Sequence, residues 1–281
     1  MEKWPIGVFS SIDAGMGVQL DVAKELGVTT IHLHAPTPEN RTPQRANEFR
    51  AKLEDLGIRT TVVFGGFDGE SYADIPTVTR TVGLVPPETR AARVQEILEI
   101  SDFARLLGVD VVALHLGFVP HDASDPLFTE VVEVTRRVLD HCKSNDQALH
   151  LETGQESAAA LLQFIDATGR DNLFVNFDPA NMILYGSGDP IEALKMIGDL
   201  VHSVHCKDGT WAAHPGEEWG SETPLGEGDV NIETYLRTLN EIGYTGPLTI
   251  EREIPNDPER QKAEISHAVN LLNTLKAQIL G

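Results

Sequence analysis

Short hydrophobic runs rich in Val and Ile alternate along the chain with longer segments whose apolar residues recur at helical spacing. The runs that predict β-strands are Ile6–Ser10, Thr30–His34, Ile58–Phe64, Asp110–His115, Ala148–Glu152, Leu173–Phe177, Val201–Cys206 and Leu248–Glu251. Helices are predicted between them, near residues 17–26, 43–56, 88–107, 127–141, 157–167, 190–197 and 232–242, with a last one from residue 258 onward. This alternation is typical of a parallel sheet joined by right-handed crossovers.

Eight strand–helix units in 281 residues predict an α/β fold, a single closed (β/α)8 TIM barrel. An open doubly wound sheet of this length usually has fewer strands. No Pro-, Gly- or Ser-rich linker divides the chain, so residues 1–281 are predicted to form one domain. Two stretches between a strand and the next helix are long, Gly65–Pro87 and Lys207–Val230. Long loops in compact domains are usually functional, and in a barrel they lie at the C-terminal ends of the strands, where active sites form.

Composition and charge narrow the class of protein. Lys and Arg number 22 against 43 Asp and Glu, a formal net charge of −21, which argues against a nucleic-acid partner. No apolar run is long enough to cross a bilayer, so no membrane partner is expected. Cys142 and Cys206 cannot form a disulfide framework, and the N-terminus lacks a signal-peptide pattern. We therefore expect a cytoplasmic protein with a small-molecule ligand.

Four consecutive predicted strands, the fifth to the eighth, end in side chains that can bind a metal. They are Glu152 in ALHLETGQES, Asp178 in LFVNFDPANM, His205 in HSVHCKD and Glu251 in LTIEREI. Because parallel barrel strands end on one rim, these side chains are expected to meet there. Three carboxylates and one imidazole suit Mn²⁺ or Mg²⁺, although Co²⁺, Ni²⁺ and Zn²⁺ can compete. The predicted cofactor is one divalent metal ion, Mn²⁺ first.

The motifs LETGQES, NFDPANM, VHCKDG, PLGEGDVN and LTIERE resemble those of the xylose-isomerase-like superfamily of (β/α)8 barrels, the sugar phosphate isomerases and epimerases. The resemblance implies that Glu152 and Glu251 ligate the metal and also transfer the substrate proton on opposite faces. It implies that Asp178 and His205 act as ligands only. Removal of a proton next to a carbonyl gives an enediolate, and a cation is needed to hold its oxygens.

Five further residues are candidates for binding the substrate: Glu156, Asn181, Lys207, His115 and His34. Glu156, one helical turn beyond Glu152, fits either a partner of a substrate hydroxyl or a carboxylate that favours a helix N-terminus. Strand alternation puts Lys207 on the side of His205, where it can hold a hydroxyl, a carboxylate or a phosphate; a solvated loop charge is the alternative. His115, which begins an H-x-G motif, and His34 either line the pocket mouth or are structural histidines.

The loops and one substitution bear on specificity. Epimerases of the superfamily often have His three residues after the ligating Asp, where this chain has Asn181, so close analogy with the ketose epimerases is weakened. We expect Asn181, Lys207 and the loop Gly65–Pro87 to determine specificity rather than chemistry. Trp211 and Trp219 form either an apolar wall beside a sugar ring or ordinary loop packing.

The leading functional hypothesis is a metal-dependent isomerase or epimerase of a sugar, keto-sugar or related polyol. A lyase with the same site, an inosose dehydratase or a 3-keto-glycoside eliminase, begins with the same proton abstraction and is the first alternative. A sugar-binding barrel without catalysis is the second, and DNA repair ranks last. Whether the substrate carries a phosphate and whether the protein is a homo-oligomer both stay open.

Overall fold

A closed barrel of eight parallel strands forms the centre of the computed structural model, which describes residues 3–13, 15–252, 254 and 257–281. The first seven barrel strands are β1 (Ile6–Ser11), β2 (Thr30–His34), β3 (Arg59–Gly65), β4 (Val111–Leu114), β5 (Ala148–Glu152), β6 (Leu173–Phe177) and β7 (Val201–Cys206). A short antiparallel ribbon follows, made of β8 (Asp208–Thr210) and β9 (Ser221–Thr223), and the eighth barrel strand is β10 (Leu248–Ile250). β10 closes the barrel against β1, with Leu248 opposite Ile6. The predicted (β/α)8 barrel is confirmed.

The structure describes ten α-helices. They are α1 (Leu20–Glu25), α2 (Pro43–Leu56), α3 (Ile75–Thr81), α4 (Pro87–Leu107), α5 (Pro126–Ser144), α6 (Ala158–Thr168), α7 (Pro179–Tyr185), α8 (Pro190–Ile197), α9 (Ile232–Glu241) and α10 (Pro258–Leu280). Asp189 and Asp257 cap α8 and α10, each followed by Pro at the first helical position. None of these helices has the length and hydrophobicity needed to cross a membrane.

The predicted elements agree with the observed ones except at several boundaries and in three additions. The first helix begins at Leu20, not near residue 17. Helix α3 lies inside the predicted loop Gly65–Pro87, α7 follows β6 directly, and the β8–β9 ribbon folds part of the loop after β7. These additions are three to seven residues long, too short for hydrophobic periodicity to identify them. The motif LTIERE ends at Glu253, which lies outside the described residues.

Aromatic and small apolar side chains fill the barrel interior below the C-terminal rim. Phe9, Val62, Phe64 and Ala113 form a buried cluster separate from the larger core between strands and helices. Phe64 on β3 stacks against His205 on β7, across the barrel, at 5.1 Å between ring centroids. The polar residues at the rim therefore lie above a buried layer that combines these apolar side chains with His32, His150 and Ser203. Electrostatic interactions are stronger in such a buried layer than in water.

Asp208, the first residue of β8, holds the long loop after β7 together. Its carboxylate accepts hydrogen bonds from the backbone N–H groups of Gly209, Gly226, Gly228 and Val230, at 2.9 to 3.1 Å. A Cβ at position 228 would lie 2.3 Å from Oδ1 of Asp208, so a side chain there would displace the carboxylate. One buried carboxylate thus satisfies backbone groups from both ends of this loop.

Candidate metal centre and active site

The four predicted metal-ligating side chains meet at the C-terminal rim of the barrel. One ligand atom from each lies within 4.8 Å of the other three, and all four residues are buried: Glu152, Asp178, His205 and Glu251. Glu152 ends β5 and His205 lies near the end of β7, whereas Asp178 and Glu251 directly follow β6 and β10. Four neighbouring strands of the barrel thus deliver one side chain each to the same point.

The imidazole of His205 lies at the centre of this cluster. Its Nδ1 is 2.6 Å from Oε1 of Glu152, 2.8 Å from Oε2 of Glu251 and 3.7 Å from Oδ2 of Asp178. The other ring nitrogen, Nε2, is 3.0 Å from Nδ1 of His32. Nδ1 is therefore the His205 atom available to a cation held among the carboxylates.

The donor set fits one divalent cation. Oδ2 of Asp178 is fully buried without a hydrogen-bond partner, and so is Oε2 of Glu251, which contacts His205 outside hydrogen-bonding geometry. Burial raises the pKa of Asp178, and the neighbouring carboxylates of Glu251 and Glu152 add to this effect. Buried carboxylate oxygens without partners are unfavourable, and a cation ligated by oxygen atoms removes that penalty. These four residues could therefore bind a metal.

Charges inside the cluster determine which groups are ionised. Burial opposes a charged His205, but the carboxylates of Glu251 and Glu152 outweigh it and raise the pKa of His205 well above its ordinary value. Burial also opposes charge on Glu152, yet His115 and His205 hold its pKa well below the usual range. Despite its burial, Glu251 has a pKa lowered to about 2, chiefly by Lys207 and His205. A proton on His205 and a divalent cation therefore compete for the same carboxylates.

His115 fixes the second oxygen of Glu152. Its Nε2 is 2.9 Å from Oε2 of Glu152, while Oε1 of that residue faces His205. Burial alone would lower the pKa of His115, but the neighbouring Glu152 raises it to about 9. Glu152 is thus held from both sides by imidazole groups, and its orientation at the rim is well determined.

A cavity of about 700 Å³ opens above the cluster. Its lining includes four of the five predicted substrate-binding residues, His34, His115, Asn181 and Lys207. Nζ of Lys207 is 3.6 Å from Oε2 of Glu251 and 3.8 Å from Oε2 of Glu222. Asn181 lies in the first turn of α7, where its backbone N–H donates to Oδ1 of Asp178. The side chains of Lys207 and Asn181 thus flank the candidate metal ligands.

Glu156 and the two tryptophans differ in how they relate to this cavity. Glu156 lies outside the lining; its Oε1 accepts from the backbone N–H of Val119, and burial raises its pKa to about 7. Trp219 lines the cavity and meets Tyr185 edge-on at 4.5 Å between centroids. Trp211 lies outside the cavity lining with 37% of its surface exposed, so of the two alternatives the wall is open only to Trp219.

Sequence reasoning missed three residues or pairs near the site. His32, behind His205, shares a strand face with His34, and this alternation was a usable signal. Tyr185 lines the cavity from the last position of α7, a helix too short to predict. Arg41 and Glu96 form an ion pair in the cavity wall, and no local pattern links two residues so far apart in the chain.

The fold and the site together place the protein in the class of (β/α)8 barrels whose C-terminal rim carries side chains that can bind a divalent metal. Comparison with known families then gives the family itself. The chain belongs to the xylose isomerase-like TIM barrel family, whose model matches residues 20–275.

Known relatives show how far this similarity extends. The xylose isomerase domain protein from Planctomyces limnophilus, a crystal structure, is 58% identical, covers 99% of both chains and superposes with a TM-score of 0.97. Inosose dehydratase from Clostridium perfringens is 25% identical over 115 residues, 37% of this chain and 38% of that enzyme. L-ribulose 3-epimerase shares the fold, with 19% identity, a TM-score of 0.73 and coverage of 100% and 98% of the two chains. The chain spans 38 to 66% of the curated relatives that it matches.

Proposed function

We propose that the protein is a divalent-metal-dependent isomerase or epimerase of a sugar or related polyol ketone, with Mn²⁺ as the first candidate ion. The supporting observation is the pairing of Glu152 and Glu251. They come from strands on either side of the cluster, approach one nitrogen of His205 at 2.6 and 2.8 Å, and both line the same cavity. Two carboxylates around one cation site suit the removal and return of a proton on a single substrate carbon.

Each residue of the site has a defined part in this proposal. A bound divalent cation supplies positive charge beside the reacting carbonyl. Glu152, whose pKa lies well below the usual range, is ionised and oriented to take a proton from the carbon next to that carbonyl. Glu251 is ionised at rest, so it takes up a proton from solvent or from a neighbouring substrate hydroxyl and delivers it to the carbon on the other face, while Glu152 releases its proton to solvent. Lys207, 3.6 Å from Glu251, binds a substrate oxygen. Tyr185 and Trp219 exclude water from the adjoining wall.

The second candidate function is a lyase reaction catalysed by the same site. The alignment with inosose dehydratase favours it, because that relative is named as a dehydratase. Dehydration also begins with removal of a proton next to a carbonyl, after which a hydroxyl leaves the neighbouring carbon instead of a proton returning. A sugar-binding barrel without catalysis is disfavoured by the two cavity-lining glutamates.

Proton exchange with solvent tests the proposal directly. Metal-loaded protein is incubated in D₂O with a panel of ketoses, inososes and 3-keto-glycosides, and the products are analysed by NMR and mass spectrometry. An isomerase or epimerase gives a product of unchanged composition apart from one deuterium, whereas a lyase releases water or an aglycone. Glu152→Gln protein with the same metal content is the control. If no compound incorporates deuterium and none releases water or an aglycone, the protein is a binding protein.

A further inference from the structure

The cavity above the metal cluster is larger than one sugar ring needs. At about 700 Å³ it lies well within the roughly 300–1,000 Å³ range of pockets that enclose drug-sized ligands. Its lining includes Glu152 and Glu251 of the cluster and also Pro36, Arg41 and Glu96. These last three come from segments that follow β2 and β3, across the barrel from β6 and β7, and form what we call the far wall. A substrate whose reacting carbon lies at the cluster fills the space beside the far wall only if it carries a second unit.

The far wall carries a hydrogen-bonding pair that is already rigid. Arg41 donates through Nη2 to Oε1 of Glu96 and through Nε to the carbonyl oxygen of Pro36, each at 2.7 Å. The two side chains are 6% and 25% exposed, and the buried Nη1 of Arg41 has no acceptor among the described residues. Pro36 and Pro38 add apolar surface next to the pair. Fixed polar groups beside apolar faces suit a second sugar ring, which has hydroxyls at its edge and C–H groups on its faces.

The charge of the far wall disfavours a phosphate there. The segments that follow β3 contribute three carboxylates to the cavity lining, Asp68, Glu70 and Glu96. Among the described residues that follow β2 and β3, Arg41 is the only Lys or Arg in the lining, and Glu96 already neutralises it. Phosphate sites in proteins rely on cations and donors that are free to meet the anion. A neutral, hydroxyl-rich unit fits this surface, and a dianion is repelled by it.

We infer that the cavity binds a neutral substrate of two linked units, a keto-sugar with a glycosidic substituent, and that Arg41 and Glu96 bind the second unit. The keto-sugar end rests on the proposed function, because it places the carbonyl at the metal cluster. Arg41 and Glu96 are specificity-determining residues in this arrangement and take no part in proton transfer. Glu96 lies on α4, which follows β3, and β3 lies across the barrel from β7, the strand that precedes Lys207.

Three ketoses that differ only at oxygen 6 provide the test: D-fructose, isomaltulose, which carries a glucosyl unit there, and D-fructose 6-phosphate. Their affinities for Mn²⁺-loaded protein are measured by calorimetry and by broadening of the ligand NMR signals. Isomaltulose should bind at least about tenfold more tightly than fructose, as expected from one or two net hydrogen bonds. The phosphate ester should bind no more tightly than fructose.

Substitutions at the far wall localise the effect. Arg41→Met and Glu96→Gln should each reduce isomaltulose affinity towards that of fructose and leave fructose binding unchanged. Arg45→Met is the matched control, because Arg45 pairs with Glu48 at the surface and lies outside the cavity. Equal affinity for fructose and isomaltulose, no binding of isomaltulose, or tightest binding of the phosphate ester would each overturn the inference. If isomaltulose binds through Arg41 and Glu96 but no ketose exchanges a proton with solvent, the subsite stands and the proposed reaction fails.

Discussion

Nδ1 of His32 lies 3.0 Å from Nε2 of His205, inside the barrel and away from the carboxylates. Burial is the main cause that holds the pKa of His32 well below its ordinary value, and the neighbouring His205 is the second. His32 is therefore neutral and can accept a hydrogen bond. When Nδ1 of His205 faces a cation, Nε2 must carry the proton. His32 therefore stabilises the tautomer of His205 that ligation requires.

Removing the acceptor at position 32 should weaken metal binding. We expect His32→Leu to lose about 10- to 100-fold in Mn²⁺ affinity, the usual effect of deleting the partner of a metal-ligating histidine. His32→Asn, whose amide oxygen can replace Nδ1 as acceptor, should lose much less. Calorimetric titration of the three proteins measures the difference.

His150→Leu is the matched control for that substitution. His150 is also buried, two residues before Glu152, but its Nδ1 meets Oγ of Ser203 at 2.7 Å and not a candidate ligand. This variant should lose stability without losing metal affinity. Equal losses of affinity in the two leucine variants would assign His32 to barrel packing alone.

Metal affinity should rise with pH across the neutral range. The pKa of His205 is raised well above its ordinary value, so a cation must displace a proton to reach Nδ1. Below the raised pKa, the apparent Kd should fall by about tenfold per pH unit for each proton displaced. Calorimetry in two buffers of different ionisation enthalpy counts the protons released. A flat profile between about pH 5 and 8, around the reference His value, would exclude an imidazole ligand.

Each of the two glutamates should be needed for proton transfer. Glu→Gln keeps the shape and an oxygen ligand but removes the base, so Glu152→Gln and Glu251→Gln should each lower kcat at least about 10²-fold. Both variants should still bind the metal, though more weakly. For an epimerase, one of them can continue to exchange substrate deuterium from one face without forming product. Full activity with confirmed metal occupancy would leave that glutamate a ligand only.

Lys207→Met should affect substrate binding more than the chemical step. Lys207 lines the cavity and lies 3.6 Å from Oε2 of Glu251, so its loss removes a substrate contact and raises the pKa of Glu251. Steady-state kinetics should show KM rising far more than kcat falls, with the acidic limb of the pH profile shifted upward. Equal decreases in kcat and kcat/KM would show that Lys207 acts mainly in the transition state.

Glu156→Gln should stabilise the protein at alkaline pH. Burial raises the pKa of Glu156 to about 7, so the folded state favours the neutral acid. The pKa of Glu156 in the unfolded state is 4.5. Below that pH the neutral carboxyl group contributes its full stabilisation, and this contribution is lost as the pH rises towards 7. Glutamine keeps the oxygen that accepts from Val119 and does not ionise. The free energy of unfolding of the variant should therefore exceed that of the wild type by at most about 3 kcal/mol at pH 8.

Urea denaturation at two pH values measures this effect. The difference in unfolding free energy between Glu156→Gln and the wild type should be near zero close to pH 4.5 and favour the variant at pH 8. Glu54→Gln, at an exposed position, is the matched control. A pH-independent difference at position 156 would mean that the pKa of Glu156 is the same in the folded and unfolded states.

The sequence predicts the barrel and the cluster because both follow from periodicity. Equivalent positions at the C-terminal ends of four neighbouring strands lie close together independently of the loop conformations. This rule brings together Glu152, Asp178, His205 and Glu251. Side-chain contacts between segments that are distant in the chain have no such rule. The pairing of Arg41 with Glu96 and the hydrogen bond from Val119 to Glu156 depend on how distant segments pack, which local pattern does not encode. Glu156 illustrates this limit, since its spacing from Glu152 pointed equally well to a substrate contact.

The four hydrogen bonds that Asp208 accepts also bear on how the pocket meets its ligand. These hydrogen bonds order the loop of residues 207–230 without involving any substrate atom. Lys207 directly precedes Asp208, the residue that accepts them. The conformational entropy of this loop is therefore lost during folding and not during substrate binding. The ammonium group of Lys207 is therefore already in position when a ligand oxygen binds, and we expect little induced fit in this part of the rim.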